Sequence, residues 1–186
     1  MKSFTGTDVV FIDAEASTPL DRTTLERDFD RLVVANGPAL ARLASSYTNT
    51  SSDRDDLLQE IAMALWQALP RFRGECSERT FLFRIAHNRA IGHLARSRSQ
   101  PLAGEEVDVR DPAPDPEAGL AREQSVERLR WAIHRLPLVY RQVITLSLEG
   151  LGYGEIAEVL GISESNVGAR LTRARQILRE SLEHQP

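Results

Sequence analysis

The stretch that decides the fold is residues 153–175, which read YGEIAEVLGISESNVGARLTRAR. A helix-turn-helix needs a small residue where its two helices cross, and Ala157 supplies one. Four residues later the turn needs a position that tolerates positive φ, and Gly161 meets that need. Val167 stands where a buried β-branched residue anchors the second helix, and Ser163 is the expected N-cap of that helix. The spacing therefore predicts two helices joined by a tight turn.

The second of these helices has two contrasting faces. The inward face is expected to contain Val167, Leu171, Ala174 and Leu178. The outward face carries Ser165, Asn166, Ala169, Arg170 and Arg173, with Arg175 near its edge. Residues 165–179 contain four arginines and no acidic residue, and Asn and Arg on such a face suit the major groove of DNA. A helical hairpin without a DNA-binding role has the same spacing and stays open as the alternative.

Charge is unevenly distributed along the 186 residues. The chain has 23 basic and 27 acidic residues, a formal net charge of −4 at pH 7, and all but one of the basic residues are arginine. Residues 71–98 carry seven arginines against two acids, whereas residues 101–117 carry one arginine against six acids. Because arginine suits bidentate phosphate and guanine contacts, two arginine-rich blocks separated by an acidic one favour two nucleic-acid-binding surfaces.

Apolar residues recur at helical spacing almost throughout, and no alternating β-branched run predicts a sheet. We expect an all-α protein in which two small helical domains are joined by an acidic, proline-containing linker. The predicted parts are an N-terminal extension (1–24), a first domain (25–98), the linker (99–119) and a second domain (120–182). Within the first domain, Gly37-Pro38 is expected to break the opening helix, and Ser51, Ser52 and Asp53 to cap the next one.

The composition excludes several classes of protein. Cys76, the single cysteine, can form neither an internal disulfide nor, by itself, a cysteine-based zinc site. No apolar run approaches the ~20 residues that span a bilayer, and no signal peptide is recognisable, so we expect a cytoplasmic protein without membrane insertion. The histidines lack a cysteine or carboxylate partner at ligand or triad spacing, so we expect no enzyme and no cofactor. They are His87, His93, His134 and His184.

The segment from Asp53 to Leu69 predicts an amphipathic helix. The residues of its mostly polar side recur at steps of three and four: Asp56, Gln59, Glu60, Met63 and Gln67. Such a stripe is usually a solvated surface, and the spacing alone favours that explanation. The acids at positions 53, 55 and 56 are explained by capping and by the helix dipole rather than by a metal site.

The segment from Pro70 to Arg89 mixes phenylalanines and arginines around a glycine-containing loop. Exposed rings beside positive charge are what single-stranded DNA binding requires, because bases stack on the rings and arginine follows the phosphates. A base extruded from the duplex also needs a polar pocket, and the residues placed to line it are Glu75, Cys76, Ser77 and Thr80. Alternatively, one or two of the three rings belong to the core: Phe72, Phe81 and Phe83.

Several of these segments together resemble one family. Residues 53–60 (DRDDLLQE), 66–77 (WQALPRFRGECS) and 83–88 (FRIAHN) are similar to region 2 of bacterial sigma factors of the extracytoplasmic-function group, in the sigma-70 family. Residues 136–144 (LPLVYRQVI), with the 153–175 motif, are similar to region 4 of the same group. The resemblance covers residues 25–98 and 120–182, in the order that the family has.

The resemblance implies a dissociable subunit of RNA polymerase that directs the core enzyme to specific promoters and helps to open the −10 region. The residues implied to bind core polymerase are Asp56, Gln59, Glu60 and Met63. The residues implied to melt and read −10 DNA are Arg71, Phe72, Arg73, Glu75, Cys76, Ser77, Arg79, Thr80, Phe81, Arg84 and Asn88. The residues implied to contact −35 DNA are Ser163, Ser165, Asn166, Arg170, Arg173 and Arg175.

Two positions depart from the family pattern. Phe81 stands where many members carry tryptophan, which preserves stacking but removes an indole donor. Gly168-Ala169 stands where a basic-plus-small pair is common, so one phosphate contact near the −35 element is expected to be missing. Gly168 also lies inside a predicted helix, where glycine costs about 1 kcal/mol relative to alanine.

The partners implied by the resemblance are core RNA polymerase, through its largest-subunit clamp and its flap, and promoter DNA. An anti-sigma factor or another regulator is the further partner that the family suggests. The main alternative is a polymerase-independent helix-turn-helix regulator with a helical N-terminal domain, which would bind DNA tightly as a dimer. A degenerate paralogue that binds these partners without initiating transcription is a third possibility, and an enzyme is the least favoured.

Overall fold

The computed structural model describes residues 22–99 and 118–183, with side chains described for 22–97 and 125–183. All of the longer elements in these ranges are α-helices and none is a strand, which confirms the predicted all-α class. They are α1 (Arg22–Ser45), α2 (Ser51–Ala68), α3 (Glu78–Ser99), α4 (Ala118–Arg135), α5 (Leu138–Leu148), α6 (Tyr153–Leu160) and α7 (Glu164–Glu183). Most of the predicted N-terminal extension and linker lies outside the described residues.

Helix α1 is continuous, so the predicted break at Gly37-Pro38 is wrong. Proline inside a helix costs ~3 kcal/mol because it removes one backbone hydrogen bond and crowds the preceding turn. Here the carbonyl that loses its donor belongs to Val34. This residue is 79% exposed, so this side of the helix faces water. Leu32 before the proline and Leu40 after it are buried on one face, and burial of a leucine contributes roughly 1.5–3 kcal/mol. Packing on both sides of Pro38 therefore outweighs its local cost.

The N-cap of helix α2 lies one residue before the first of the predicted caps. Thr50 is the N-cap, with extended backbone, and its side chain accepts a hydrogen bond of 3.1 Å from the backbone N–H of Asp53. Ser51, Ser52 and Asp53 already belong to the helix, so their assignment as caps is wrong. Helix α2 ends at Ala68, one residue before the predicted end, and a short 3-10 turn that contains Pro70 follows.

Helices α1, α2 and α3 form a first module around a shared apolar core. Leu43, Leu57, Leu65, Leu82 and Phe83 are fully buried in it. The polar side of α2 and the start of α3 are left at the surface of this module, which places the predicted functional residues there.

Helices α4 to α7 form a second module that contains the predicted helix-turn-helix. Gly161 ends α6 in the left-handed conformation, with φ 66° and ψ 37°, a region in which other residues are strained. Ala157 is buried at 9% exposure, and Val167 and Leu171 are fully buried. These positions confirm the crossing, the turn and the inward face expected from the sequence.

The two modules are in contact, and the pairing of α3 with α6 is the largest part of that contact. Two further pairs of residues are hydrogen-bonded across the boundary near the end of α1. His134 Nε2 lies 2.7 Å from the Ser45 carbonyl oxygen, and Arg42 binds Glu149 through two nitrogens. The order of these helices therefore places the start of α3 against the helix-turn-helix.

Candidate functional surfaces

The first candidate surface is the polar side of α2. Asp56 and Gln59 are exposed, and Met63 is 59% exposed although its side chain is apolar. These residues border a shallow recess of about 380 Å³ between α2 and α3. An apolar side chain held in water among polar groups is a frequent component of protein interfaces, where methionine is enriched.

Glu60, on the same side of α2, is held by two residues of α3. Arg96 Nη2 lies 2.6 and 2.7 Å from its two carboxylate oxygens, and His93 Nδ1 lies 3.6 Å from Oε1. Partial burial raises the pKa of Glu60, but hydrogen bonding and charge from Arg96 outweigh burial and lower that pKa below its ordinary value. The carboxylate is therefore ionised at neutral pH, with its orientation fixed by α3.

The second candidate surface begins with the aromatic residues around the loop before α3. Phe72 and Phe81 are half-buried and stack on each other, with ring centroids 4.5 Å apart. Phe83 is fully buried in the core, with the Arg79 guanidinium carbon 5.5 Å from its ring centroid. One of the three rings is therefore core, as the alternative allowed, and the other two remain at the surface.

Charged side chains extend this surface along the loop. Arg71, Arg73 and Glu75 are exposed between the end of α2 and the start of α3. Asn88 is exposed further along α3. This half of the surface is open to solvent in the described arrangement.

The first turn of α3 forms the other half, and the second module covers part of it, at Thr80. Ser77 caps the helix, because its Oγ accepts from the backbone N–H of Thr80 at 3.0 Å. Thr80 is only 1% exposed, and its hydroxyl donates to Glu155 of α6 at 3.3 Å. Cys76 is half-buried, and Arg84 Nη2 lies 3.8 Å from its sulfur. Of the polar residues expected to line a pocket, Thr80 is covered by the second module and Cys76 is half-buried, whereas Glu75 and Ser77 are exposed.

The third candidate surface is the outward side of α7. Ser163 caps this helix as predicted, accepting from the backbone N–H of Asn166 at 3.3 Å. Ser165, Arg173 and Arg175 are exposed, whereas Asn166 and Arg170 are half-exposed. The residues nearest the N-terminal end of α7 are therefore accessible to a partner. In helix-turn-helix proteins this end of the second helix enters the major groove.

Gly168 lies in the middle of this helix, and its neighbour is Tyr153 of α6. A Cβ added at Gly168 would meet the Tyr153 ring at 3.5 Å, an ordinary van der Waals distance. Packing therefore does not require glycine here.

Comparison with known proteins identifies the family of the chain that carries these surfaces. The family model for sigma-70 region 2 matches residues 32–100, and the model for sigma-70 region 4 matches residues 127–178. The RNA polymerase sigma factor NccH of Alcaligenes xylosoxydans xylosoxydans is 34% identical over 154 residues, which cover 79% of this chain and 82% of NccH. The ECF RNA polymerase sigma-E factor of Escherichia coli K12 is 33% identical over 165 residues, covering 82% of this chain and 85% of that protein. The chain belongs to the extracytoplasmic-function group of the sigma-70 family.

Solved structures agree with this assignment. The structure of CnrH in complex with the cytosolic domain of CnrY matches with a TM-score of 0.66 and 29% identity, covering 87% of this chain and 91% of CnrH. RpoE of Bartonella quintana, solved with the anti-sigma factor NepR, shares the fold with a TM-score of 0.69 and 21% identity, covering 86% of this chain and 99% of RpoE.

This sigma factor directs core RNA polymerase to promoters and takes part in transcription initiation. A polymerase-independent regulator is not favoured, because both sigma regions are matched in their family order. Sigma factors as a class are initiation factors rather than enzymes. Within residues 22–99 and 118–183, no three His, Cys, Asp or Glu residues are grouped so as to hold a metal ion, and no helix is long and apolar enough to cross a membrane.

A groove of about 280 Å³ lies where the two modules of the sigma factor meet, near the end of α1. Its walls are largely apolar, and Val126 and Leu148 on them are 50% and 54% exposed. Sequence reasoning did not find this groove, because residues from α1, α4 and α5 meet there only after folding.

Proposed function

We propose that this sigma factor binds core polymerase through the polar side of α2, with Asp56, Gln59, Glu60 and Met63 in contact with the clamp. The loop before α3 and the start of α3 are proposed to melt and read −10 DNA, and the outward side of α7 to read −35 DNA while the second module contacts the flap. The observation that carries this proposal is the separation of the three residue sets onto three surfaces. The α2 and α7 surfaces are exposed while the modules are in contact.

Each surface is suited to one step of promoter opening. Arginines on α7 neutralise backbone phosphates and position the helix, while Asn166 and its neighbours are placed to contact base edges. The stacked pair Phe72 and Phe81 supplies a platform for an extruded base, and stacking of ~1–3 kcal/mol per base offsets much of the cost of unpairing. Because the whole chain has a formal net charge of −4, binding to polymerase is expected to align both surfaces on one promoter and supply avidity.

Met63 gives the clearest test of the α2 surface, because it is exposed and uncharged, so its replacement breaks no ion pair within the chain. Replacing Met63 with alanine should weaken the binding of purified core polymerase about 5–30-fold, the loss expected for an interface residue that contributes about 1–2 kcal/mol. Fluorescence anisotropy of labelled sigma factor titrated with core enzyme gives the affinity.

Val34→Ala is the matched control, because it also removes an exposed apolar side chain, but from α1. It should leave polymerase affinity unchanged, and thermal unfolding should be close to wild type for both variants, since surface substitutions usually change stability by about 0.5 kcal/mol or less. Equal affinity of the Met63→Ala variant and the wild type would reject α2 as the docking surface.

We also propose that the sigma factor works in the cytoplasm with its polymerase and that a protein regulator of the anti-sigma type holds it inactive. Support comes from CnrH, a 29% identical sigma factor solved with the cytosolic domain of CnrY, and from the exposed apolar wall at Leu148. Leu148→Asp should raise promoter activity in the native cell but not in purified transcription, because only the cell contains the regulator. A change of equal size in both assays would contradict this.

A further inference from the structure

Two side chains of α3 that belong to none of the proposed contact sets lie against the acidic side of α2. Arg96 Nη2 contacts both carboxylate oxygens of Glu60, at 2.6 and 2.7 Å. His93 lies between two carboxylates: its Nδ1 is 3.6 Å from Glu60 Oε1, and its Nε2 is 3.5 Å from Asp53 Oδ1. Glu60, which is proposed to bind polymerase, is therefore contacted by two residues for which no such contact is proposed.

These contacts leave part of the Glu60 carboxylate available. The Glu60 side chain is 30% exposed, while that of His93 beside it is only 12% exposed. Each carboxylate oxygen accepts more than one hydrogen bond, so a carboxylate that is occupied on the side of α3 still accepts donors from a partner. Because Arg96 and His93 both belong to α3, together they fix the direction in which the remaining acceptor positions point.

The ion pair between Arg96 and Glu60 is poorly suited to a purely structural role. The Arg96 side chain is 57% exposed, and ion pairs with this much access to water contribute little to folding stability. Helices α2 and α3 pack through a buried apolar core that includes Leu57, Leu65 and Leu82. What the ion pair does control is the conformation of a long acidic side chain at a surface where a partner is proposed to bind.

We propose that Arg96, assisted by His93, is a positioning residue for polymerase binding, because it holds the Glu60 carboxylate in the orientation that the core enzyme engages. The inference rests on the proposed function of α2 as the docking surface. It adds that α3, the helix that carries several of the proposed −10 contacts, also orients a side chain of the docking surface, through residues beyond those contacts.

Removal of Arg96 has two opposing effects on polymerase binding. Glu60 becomes free to rotate, and the ordering of such a side chain on binding costs about 3–10-fold in affinity. The α2 surface also becomes more acidic, which favours a basic partner. Since Arg96 is 57% exposed, water and salt screen its charge, whereas they do not restore the lost orientation. The loss of orientation should therefore dominate at physiological salt.

The first experiment measures the affinity of the full-length chain for purified core polymerase by fluorescence anisotropy. Arg96→Ala should weaken binding about 3–10-fold. Arg89→Ala is the matched control, because it removes an exposed arginine from the same helix, and it should leave the affinity unchanged. Equal or tighter binding by the Arg96→Ala variant would overturn the proposal, as would an equal loss in the Arg89→Ala variant.

A double-mutant cycle tests whether Arg96 acts through Glu60. Arg96→Ala made in the Glu60→Ala background should cause no further loss of affinity, because the side chain that Arg96 orients is gone. Made in the Met63→Ala background, it should cause its full loss, because Met63 is apolar and forms no ion pair with Arg96. A full loss in the Glu60→Ala background would mean that Arg96 itself contacts polymerase, which contradicts a positioning role.

The same variants separate failure of this inference from failure of the proposed docking surface. If Glu60→Ala and Met63→Ala both leave the polymerase affinity unchanged, the assignment of α2 is wrong and both proposals fail. If Glu60→Ala weakens binding while Arg96→Ala does not, the docking surface stands and only the positioning role fails.

The carboxyl carbon of Glu60 gives an independent reading in the absence of polymerase. Partial burial raises the pKa of Glu60, and Arg96, with a further contribution from His93, reverses this and lowers that pKa. Arg96→Ala should therefore move the pKa of Glu60 upward in a ¹³C NMR titration, with the signal assigned by Glu60→Gln, whereas Arg89→Ala should not. An unchanged pKa in the Arg96→Ala variant would show that the two side chains do not interact in solution and would also overturn the proposal.

Discussion

Acidification should destabilise this sigma factor through His87, which lies in α3 at 5% exposure. Burial lowers the pKa of His87 from 6.5 to about 4. Between these values the unfolded chain binds a proton that the folded chain does not, so protons favour unfolding. The penalty is absent well above pH 6.5 and is complete below pH 4. From the two pKa values, the free energy of unfolding should fall by about 2 kcal/mol between pH 7 and pH 5.

The assay is urea unfolding followed by circular dichroism, repeated between pH 7 and pH 5 at constant ionic strength. His87→Gln removes the titrating ring, so this variant should lose about 2 kcal/mol less than the wild type over that interval, whatever its stability at pH 7. Burial also lowers the pKa of His134, which adds a dependence in the same direction to both proteins. Equal pH dependence of the two proteins would refute the reasoning.

Two further predictions concern the helix-turn-helix. Gly168→Ala should raise the free energy of unfolding by about 0.5–1 kcal/mol, because a Cβ there meets Tyr153 at an ordinary distance and alanine favours the helix. Gly161→Ala should instead lower the free energy of unfolding by about 1–2 kcal/mol, because the turn requires φ near 66°. Denaturation curves in which both variants are stabilised, or both destabilised, would contradict this contrast. In a separate test, Arg173→Ala should reduce by about 1 the salt slope of holoenzyme binding to duplex −35 DNA. Arg179→Ala, on the same helix but outside the proposed set, should leave that slope unchanged, and equal slopes for wild type and Arg173→Ala would argue against a phosphate contact.

The helix-turn-helix could be predicted from the sequence because its determinants are local. Ala157, Gly161, Ser163 and Val167 lie within eleven consecutive positions, and each meets one local requirement: small size, positive φ, a capping oxygen and a buried branched side chain. The structure places all four as expected. The family motifs added the assignment of the α2 stripe, which periodicity alone would have left as a solvated face.

What the sequence did not predict depends on contacts between distant residues. The turn at Pro38 stays helical because burial on either side of it outweighs a local cost that the sequence shows plainly. The salt bridge between Arg96 and Glu60 joins residues 36 positions apart in the sequence. The one between Arg42 and Glu149 joins residues 107 positions apart. Neither pair has a spacing that any helical pattern would reveal. The assignment of individual side chains to polymerase or promoter DNA stays a prediction.

The choice of arginine over lysine has a consequence for how the nucleic-acid-binding surfaces can be controlled. The chain has a single lysine, Lys2, so the permanently cationic side chains of α3 and α7 are all guanidinium groups. These groups stay protonated at every physiological pH and are not substrates for lysine acetylation. Neither alkalinity nor acetyl transfer can therefore weaken the grip of these helices on a promoter. Their charge can be countered only by placing a competing anion against it, whether a salt ion or a carboxylate of the same chain.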